Sequence, residues 1–103
     1  MVETRRVSVV IPVFREEKVI GSVIRGVKTV LGESTEVIVV DDGSGDNTGK
    51  AAAEAGARVL THPYNIGNGA AVKTGIRAAT GDLIVMMDGD GQHKAEDIPK
   101  LLD

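Results

Sequence analysis

EVIVVDDGSGDNTGKAAAEAG, Glu36 to Gly56, reads as one complete strand-to-helix unit. Val37, Ile38, Val39 and Val40 are β-branched and uninterrupted, the pattern of a strand covered on both faces. Asp41 and Asp42 follow at once, and the turn formers GSGDN come next. The alanine-rich segment after them starts as a helix near Asp46 or Asn47 and stops at Gly56. An apolar strand that ends in acids and bends into a helix is the repeating unit of α/β sheets.

The unit recurs on either side. VSVVIPV, Val7 to Val13, is a strand. A segment from about Glu16 to Leu31 follows, with Val19, Ile20, Val23, Ile24, Val27, Val30 and Leu31 at helical spacing. ARVLTH, Ala57 to His62, is a shorter strand. GNGAAVKTGIRAATG, Gly67 to Gly81, is a helix expected to close at Gly81. DLIVMMD, Asp82 to Asp88, is a fourth strand, and its apolar run reads as central in the sheet. AEDIPKLLD reads as the first turns of a further helix. The expected fold is α/β: one domain over residues 1–103, with a mainly parallel sheet of about four strands flanked by helices. Right-handed crossovers place every strand's carboxyl end on one edge. Ligands of such sheets bind outside that edge. Phe14-Arg15-Glu16, Asp41-Asp42-Gly43-Ser44 and Asp88-Gly89-Asp90 all converge there.

Composition removes several function classes. The 103 residues suffice for one small domain with a modest core. With 12 basic and 15 acidic residues the net charge is −3, which leaves no footprint for nucleic acid or anionic lipid. The absence of cysteine excludes disulfides and thiolate chemistry, and a cytoplasmic location is the expectation. No apolar run approaches the ~20 residues of a membrane span, and no signal peptide is expected before Val7. Phe14 and Tyr64 are the only aromatic residues, which argues against a base-stacking platform.

The acids carry the candidate chemistry. A turn through Gly89 can bring Asp88 and Asp90 to one hard cation, Mg²⁺ or Mn²⁺, with phosphate oxygens completing the shell. Gly89 and Gly91 leave room for a ligand against the backbone. Taken alone, the same residues read first as a solvated acidic turn that closes the strand. An EF-hand is excluded, because His93 and Pro99 occupy the positions of its glycine and its bidentate acid. Asp41 and Asp42 read either as a turn and helix cap or as ligand contacts, and both hold if Asp46 or Asn47 caps while Asp41 faces ligand. Glu16 and Glu17 suit a helix N-terminus. His62 reads as a strand-end histidine, and His93 is a better ligand candidate. The first turn, PVFREEKVIG, lacks the dinucleotide-binding glycines, GNGAAV puts Val72 at the third of them, and there is no Walker A motif. No serine–histidine–acid arrangement supports a hydrolase.

VSVVIPVFREE, EVIVVDDGSGDNT, NIGNGAAVKTGI and ATGDLIVMMDGDGQHKAEDIPKLL, in this order, resemble the N-terminal half of a family 2 glycosyltransferase. The nearest subgroup in character is the dolichyl-phosphate mannosyltransferases and polyprenyl-phosphate glucosyltransferases. The resemblance implies a Rossmann-like nucleotide-diphospho-sugar transferase fold of the GT-A type. It implies that Pro12, Phe14, Glu16, Val39 and Asp41 line a nucleoside pocket, with Gly67, Gly69 or Ala70 at its border. It implies that Asp88, Gly89 and Asp90 meet the diphosphate, with Asp88, Asp90 and Gln92 on a divalent metal. The implied reaction is inverting transfer of a hexose from a GDP-mannose or UDP-glucose type donor to an acceptor, a polyprenyl phosphate above all. A lipid phosphate is already ionised, which suits a chain with no evident general base. Phe14 replaces the family's usual tyrosine and Arg15 its asparagine. Lys94 and Ala95 replace a common Asp-Pro. The acceptor half and any catalytic base are expected to lie outside this chain, and membrane association is expected only of longer relatives. The alternatives are a non-catalytic nucleotide-binding module and a sugar nucleotidyltransferase; the acidic first loop argues against the second. An unpaired sheet edge would allow a homodimer.

Overall fold

The structure is a computed structural model that describes residues 6–89. Its elements run β1 (Val7–Val13), α1 (Ile20–Leu31), β2 (Glu36–Asp41), α2 (Thr48–Glu54), β3 (Arg58–Thr61), α3 (Asn68–Ala78) and β4 (Leu83–Met86). The four strands form one parallel sheet in the order β3-β2-β1-β4. Register pairs Val13 with Asp41 and Asp41 with Thr61, so β1, β2 and β3 end level with one another. The parallel α/β reading of the sequence therefore holds.

Strand alternation divides the core between the two faces. Val9, Ile11 and Val13 pack with Val37 and Val39 against Ile20, Val23, Ile24 and Val27 of α1. Helix α1 has no side-chain cap at its N-terminus. A cap contributes about 1 kcal/mol. Burying each of Ile20, Ile24 and Val27 contributes about 1.5–3 kcal/mol, so packing rather than capping holds α1. On the other face Ile38, Val40 and Ala71 form a smaller cluster under α3. Gly75 lets α3 lie this close, since a Cβ there would strike Val10 Cγ1.

Three expectations are corrected. Helix α1 begins at Ile20 rather than Glu16, because 17–19 form a turn in which the Glu16 carbonyl accepts the N–H groups of Val19 and Ile20. Helix α3 ends at Ala78, and Ala79 is already extended with ψ 136°. Gly81 is needed elsewhere: a Cβ there would sit 2.7 Å from Ser8 Oγ and 2.8 Å from the Arg6 carbonyl. Strand β4 is at the edge of the described sheet, not its centre. Ile84 and Met86 are 40% and 41% exposed there, because α3 lies over β1 and β2 rather than β4. Among the described residues no helix is long and apolar enough to cross a membrane. The helix expected from Ala95 lies outside the described residues, as do Asp90, Gln92 and His93.

Candidate functional site

The loops after β1, β2 and β3 meet at the carboxyl edge and are tied to one another. Asp41 is buried, and its Oδ1 accepts the Ser44 N–H at 3.0 Å and the Ser44 hydroxyl. Ser44 Oγ also accepts the Arg15 N–H at 2.8 Å, so the loop after β2 holds the loop after β1. Thr48, fully buried at the start of α2, accepts the Glu16 N–H at 3.0 Å. Asp46 Oδ1 accepts the Thr48 N–H at 2.9 Å and its hydroxyl, which holds the Asp46 carboxyl below its usual range. Of the two capping candidates, Asp46 makes these bonds, while Asn47 makes no side-chain bond at the helix start.

Asp42 takes the opposite face, as alternation along β2 requires. Its Oδ1 accepts the Ile66 N–H at 3.0 Å, its Oδ2 accepts the Gly67 N–H at 2.8 Å, and His62 Nδ1 lies 2.8 Å from Oδ1. The Asp42 oxygen accepts, so Nδ1 carries the hydrogen; His62 Nε2 then faces Thr74 Oγ1 of α3 at 2.9 Å. Burial alone would push the Asp42 carboxyl up. The hydrogen bonds from His62, Ile66 and Gly67 together outweigh it and hold the carboxyl below its usual range. Gly43, at φ 72°, allows the crossing: a Cβ there would strike the Tyr64 carbonyl carbon. Asp42 thus pins the loop between β3 and α3 across the end of β2.

What these ties create is a set of adjoining hollows around Pro12. One, of about 260 Å³, is lined by Pro12, Val13, Phe14, Glu16, Asp88 and Gly89. A second, of about 210 Å³, is lined by Pro12, Val13, Phe14, Asp42, Asn65, Gly67, Asn68 and Ala71. A third, of about 220 Å³, joins Pro12 to Asn68, Val72, Met86, Met87 and Asp88. The structure therefore brings Pro12, Phe14, Glu16, Asp88 and Gly89 together. Glu16 lies ahead of α1 rather than in its first turn, and lines the same hollow as Asp88. Gly89 is buried against β1, where a Cβ would strike Val13 Cγ1.

Two expected site residues stand apart. Val39 is fully buried in the core facing α1, so its side chain supports β2 and does not wall a pocket. Asp41 is turned toward Ser44 and the start of α2 rather than into the hollows, with Oδ2 3.2 Å from where a Cβ of Gly49 would be. Asp90 and Gln92 lie outside the described residues. Among the described residues no three acids or histidines gather closely enough to hold a metal ion. Sequence reasoning missed Asp42 and His62 as builders of the site, and Asn65 and Asn68 as part of its lining. Asp42 was partly legible, since the sequence places it at the carboxyl edge after β2; nothing in the sequence pairs it with His62.

A further cavity, of about 380 Å³, lies at the other end of the sheet, around Ser8, Glu36 and Thr80. Glu36 there accepts from Ser8 Oγ at 2.6 Å, Thr80 N–H at 2.8 Å and Thr80 Oγ1 at 3.1 Å. The hydrogen bond from Ser8 and then the Thr80 backbone hold its carboxyl low. Its acceptors are already engaged, so this network braces β1, β2 and the segment before β4.

The family model for glycosyl transferase family 2 matches residues 8–103. The fold is that of GT-A glycosyltransferases. A solved mycobacterial protein is 36% identical at a TM-score of 0.81, with 95% of this chain and 36% of that one covered. Glucosyl-3-phosphoglycerate synthase of Mycobacterium tuberculosis is 34% identical at a TM-score of 0.81, covering 95% of this chain and 40% of that one. A mannosyltransferase from Pyrobaculum calidifontis, solved with GDP-Man and Mn²⁺, is 26% identical at a TM-score of 0.80, covering 92% of this chain and 30% of that one. The chain thus spans well under half the length of these proteins.

Proposed function

The chain belongs to glycosyl transferase family 2, and from that premise we propose that it forms the donor-binding part of an inverting glycosyltransferase that uses a nucleotide-diphosphate hexose. The observation that carries this reading is the hollow where Phe14, Glu16, Asp88 and Gly89 meet at the carboxyl edge. An aromatic wall suits a nucleoside, and a carboxylate at an exposed rim suits a diphosphate with its cation.

The residues present fit a divalent cation by chemistry, since Asp88 supplies a hard carboxylate at the exposed rim of the hollow. Asp88, with Asp90 and Gln92, would hold Mg²⁺ or Mn²⁺. A similar enzyme, glucosyl-3-phosphoglycerate synthase, is solved with Mn²⁺ and UDP. When bound, such an ion supplies positive charge to the nucleoside diphosphate as it leaves. Phe14 orients the nucleoside by covering one side of it. Pro12 and Gly67 narrow the cleft, and Asp42 keeps the Asn65–Asn68 loop in place.

For the acceptor we propose a group bearing an ionised phosphate, a polyprenyl phosphate first, because in-line attack by its oxygen needs no general base. A second reading is favoured by the 34% identity to glucosyl-3-phosphoglycerate synthase: a small phosphorylated hydroxy acid. That acceptor attacks through a hydroxyl and requires a base.

Calorimetry with GDP, UDP, GDP-mannose and UDP-glucose, each with and without Mn²⁺, tests the donor reading. Mn²⁺-dependent binding that disappears in Asp88→Ala and Asp90→Ala supports it. Binding indifferent to the metal, or none at all, sinks it. Sugar transfer to a polyprenyl phosphate or to phosphoglycerate separates the two acceptors.

A further inference from the structure

Helix α3 leaves part of its own face of the sheet uncovered. Ile84 and Met86 of β4 pair in register with Ser8 and Val10 of β1. Ser8 and Val10 are fully buried there, whereas Ile84 and Met86 are exposed. Val72 and Ile76 stand one turn apart on α3. Ile76 is exposed as well, and Val72 meets Met86 in the hollow that opens beside Asp88. The four residues form an apolar trough with β4 as its floor and the flank of α3 as its wall. The other face of β4 is closed, because Val85 and Met87 are buried in the core with α1.

We propose that residues 95–103 of this chain dock in the trough, with Ile98, Leu101 and Leu102 against Val72, Ile76, Ile84 and Met86. The described residues end at Gly89, at the carboxyl end of β4, so the rest of the chain starts beside the trough. Ile98, Leu101 and Leu102 recur at helical spacing, with Glu96, Asp97, Lys100 and Asp103 around them. A segment patterned in this way needs an apolar surface for one stripe. The hand of the crossovers selects the same face. Helices α1 and α2 lie on one side of the sheet as the chain steps from β1 to β3, and α3 returns on the other. A segment that continues outward from β4 stays on the side of α3. Residues 90–94, extended, reach about 17 Å, and a packed helix lies about 10 Å from its neighbour, so the link is long enough. Gly89, against Val13, fixes the near end of that link, and the dock fixes its far end. On the donor-site reading above, the dock thereby positions Asp90 and Gln92 for the cation.

The chain has no cysteine, so a single introduced thiol reports burial without background. Maleimide labelling rates are measured on the full chain carrying Ile84→Cys or Met86→Cys, with Tyr64→Cys on its exposed loop as the open reference. The trough thiols should react about tenfold more slowly than the reference, or slower still. Adding Leu101→Asp should restore rapid labelling of both. Val39→Cys, at a fully buried position, should stay protected in the same background, which tells undocking from unfolding. Labelling of the trough thiols at the reference rate overturns the dock. Protection that grows with protein concentration also overturns it, since the occupant is then a second copy of the chain. With Leu101→Asp alone, Mn²⁺-dependent binding of GDP or UDP should weaken about tenfold, the usual loss when support behind a metal ligand is removed. Unchanged affinity overturns the positioning role. Failure of the unaltered chain to bind either nucleotide overturns the donor-site reading, and the labelling rates still decide the dock.

Discussion

The Asp42 carboxylate lies 2.8 Å from His62 Nδ1 and takes the Ile66 and Gly67 N–H groups as well, so one acid joins the ends of β2 and β3 to the start of α3. Removing it leaves the partly buried donors of His62, Ile66 and Gly67 with no acceptor. Asp42→Ala should destabilise the fold by about 2–4 kcal/mol, and Asp42→Asn by less. Urea or thermal unfolding measures both.

Asp42 also sets an acid limit on stability. Its carboxyl is held below the ordinary range by hydrogen bonds that outweigh its burial. A carboxyl lowered in the folded state stabilises fully above its unfolded value of about 3.9 and loses that contribution as pH falls through the folded value. Glu36 and Asp46 are shifted in the same direction. Unfolding free energy should therefore drop steadily below about pH 4. In Asp42→Asn the drop should be shallower; an identical pH profile in both proteins would show that Asp42 is not a source of it.

Three glycines should answer differently to alanine. Gly75→Ala and Gly89→Ala each press a methyl into β1, onto Val10 and Val13. A cost of about 1–3 kcal/mol is expected from each. Gly89→Ala should weaken nucleotide binding too, while Gly75→Ala should leave it unchanged. Gly69 has nothing within 4 Å of a Cβ and lies inside α3, so Gly69→Ala should stabilise by about 0.5–1 kcal/mol. Denaturation midpoints and calorimetry decide each case.

Phe14 separates binding from folding. It is 40% exposed, so Phe14→Ala should cost about 1 kcal/mol of stability or less. Nucleotide affinity should fall about tenfold with the loss of the aromatic wall. Equal nucleotide affinity in Phe14→Ala would remove Phe14 from the site.

Ser8 is the converse. It is fully buried, donates to Glu36 at 2.6 Å and accepts the Gly81 N–H at 2.8 Å, at the edge away from the hollows. Ser8→Ala should cost about 1–3 kcal/mol and leave nucleotide affinity untouched. A change in affinity would mean that the two ends of the sheet are coupled.

The β-branched runs mark β1 and β2, because strand preference and two-sided burial are local properties. The span of β1, Val7–Val13, matches its apolar run residue for residue. The helix boundaries were less legible. Helix α1 starts at Ile20 because the Glu16 N–H and carbonyl are taken by Thr48 and by the turn that follows, and Thr48 is distant in sequence.

By itself, then, the sequence determined the βα alternation, the shared edge, and the placing of Phe14, Glu16 and Asp88 on that edge. Each follows from neighbours in the chain and from the hand of the crossovers. Only the tertiary structure decided the order β3-β2-β1-β4, which leaves β4 at the described edge. Only it assigned Asp41 to Ser44 and Asp42 to His62 and the loop before α3. Those assignments depend on which helix covers which face. That choice is made by packing between segments far apart in the chain, and no short run of residues records it.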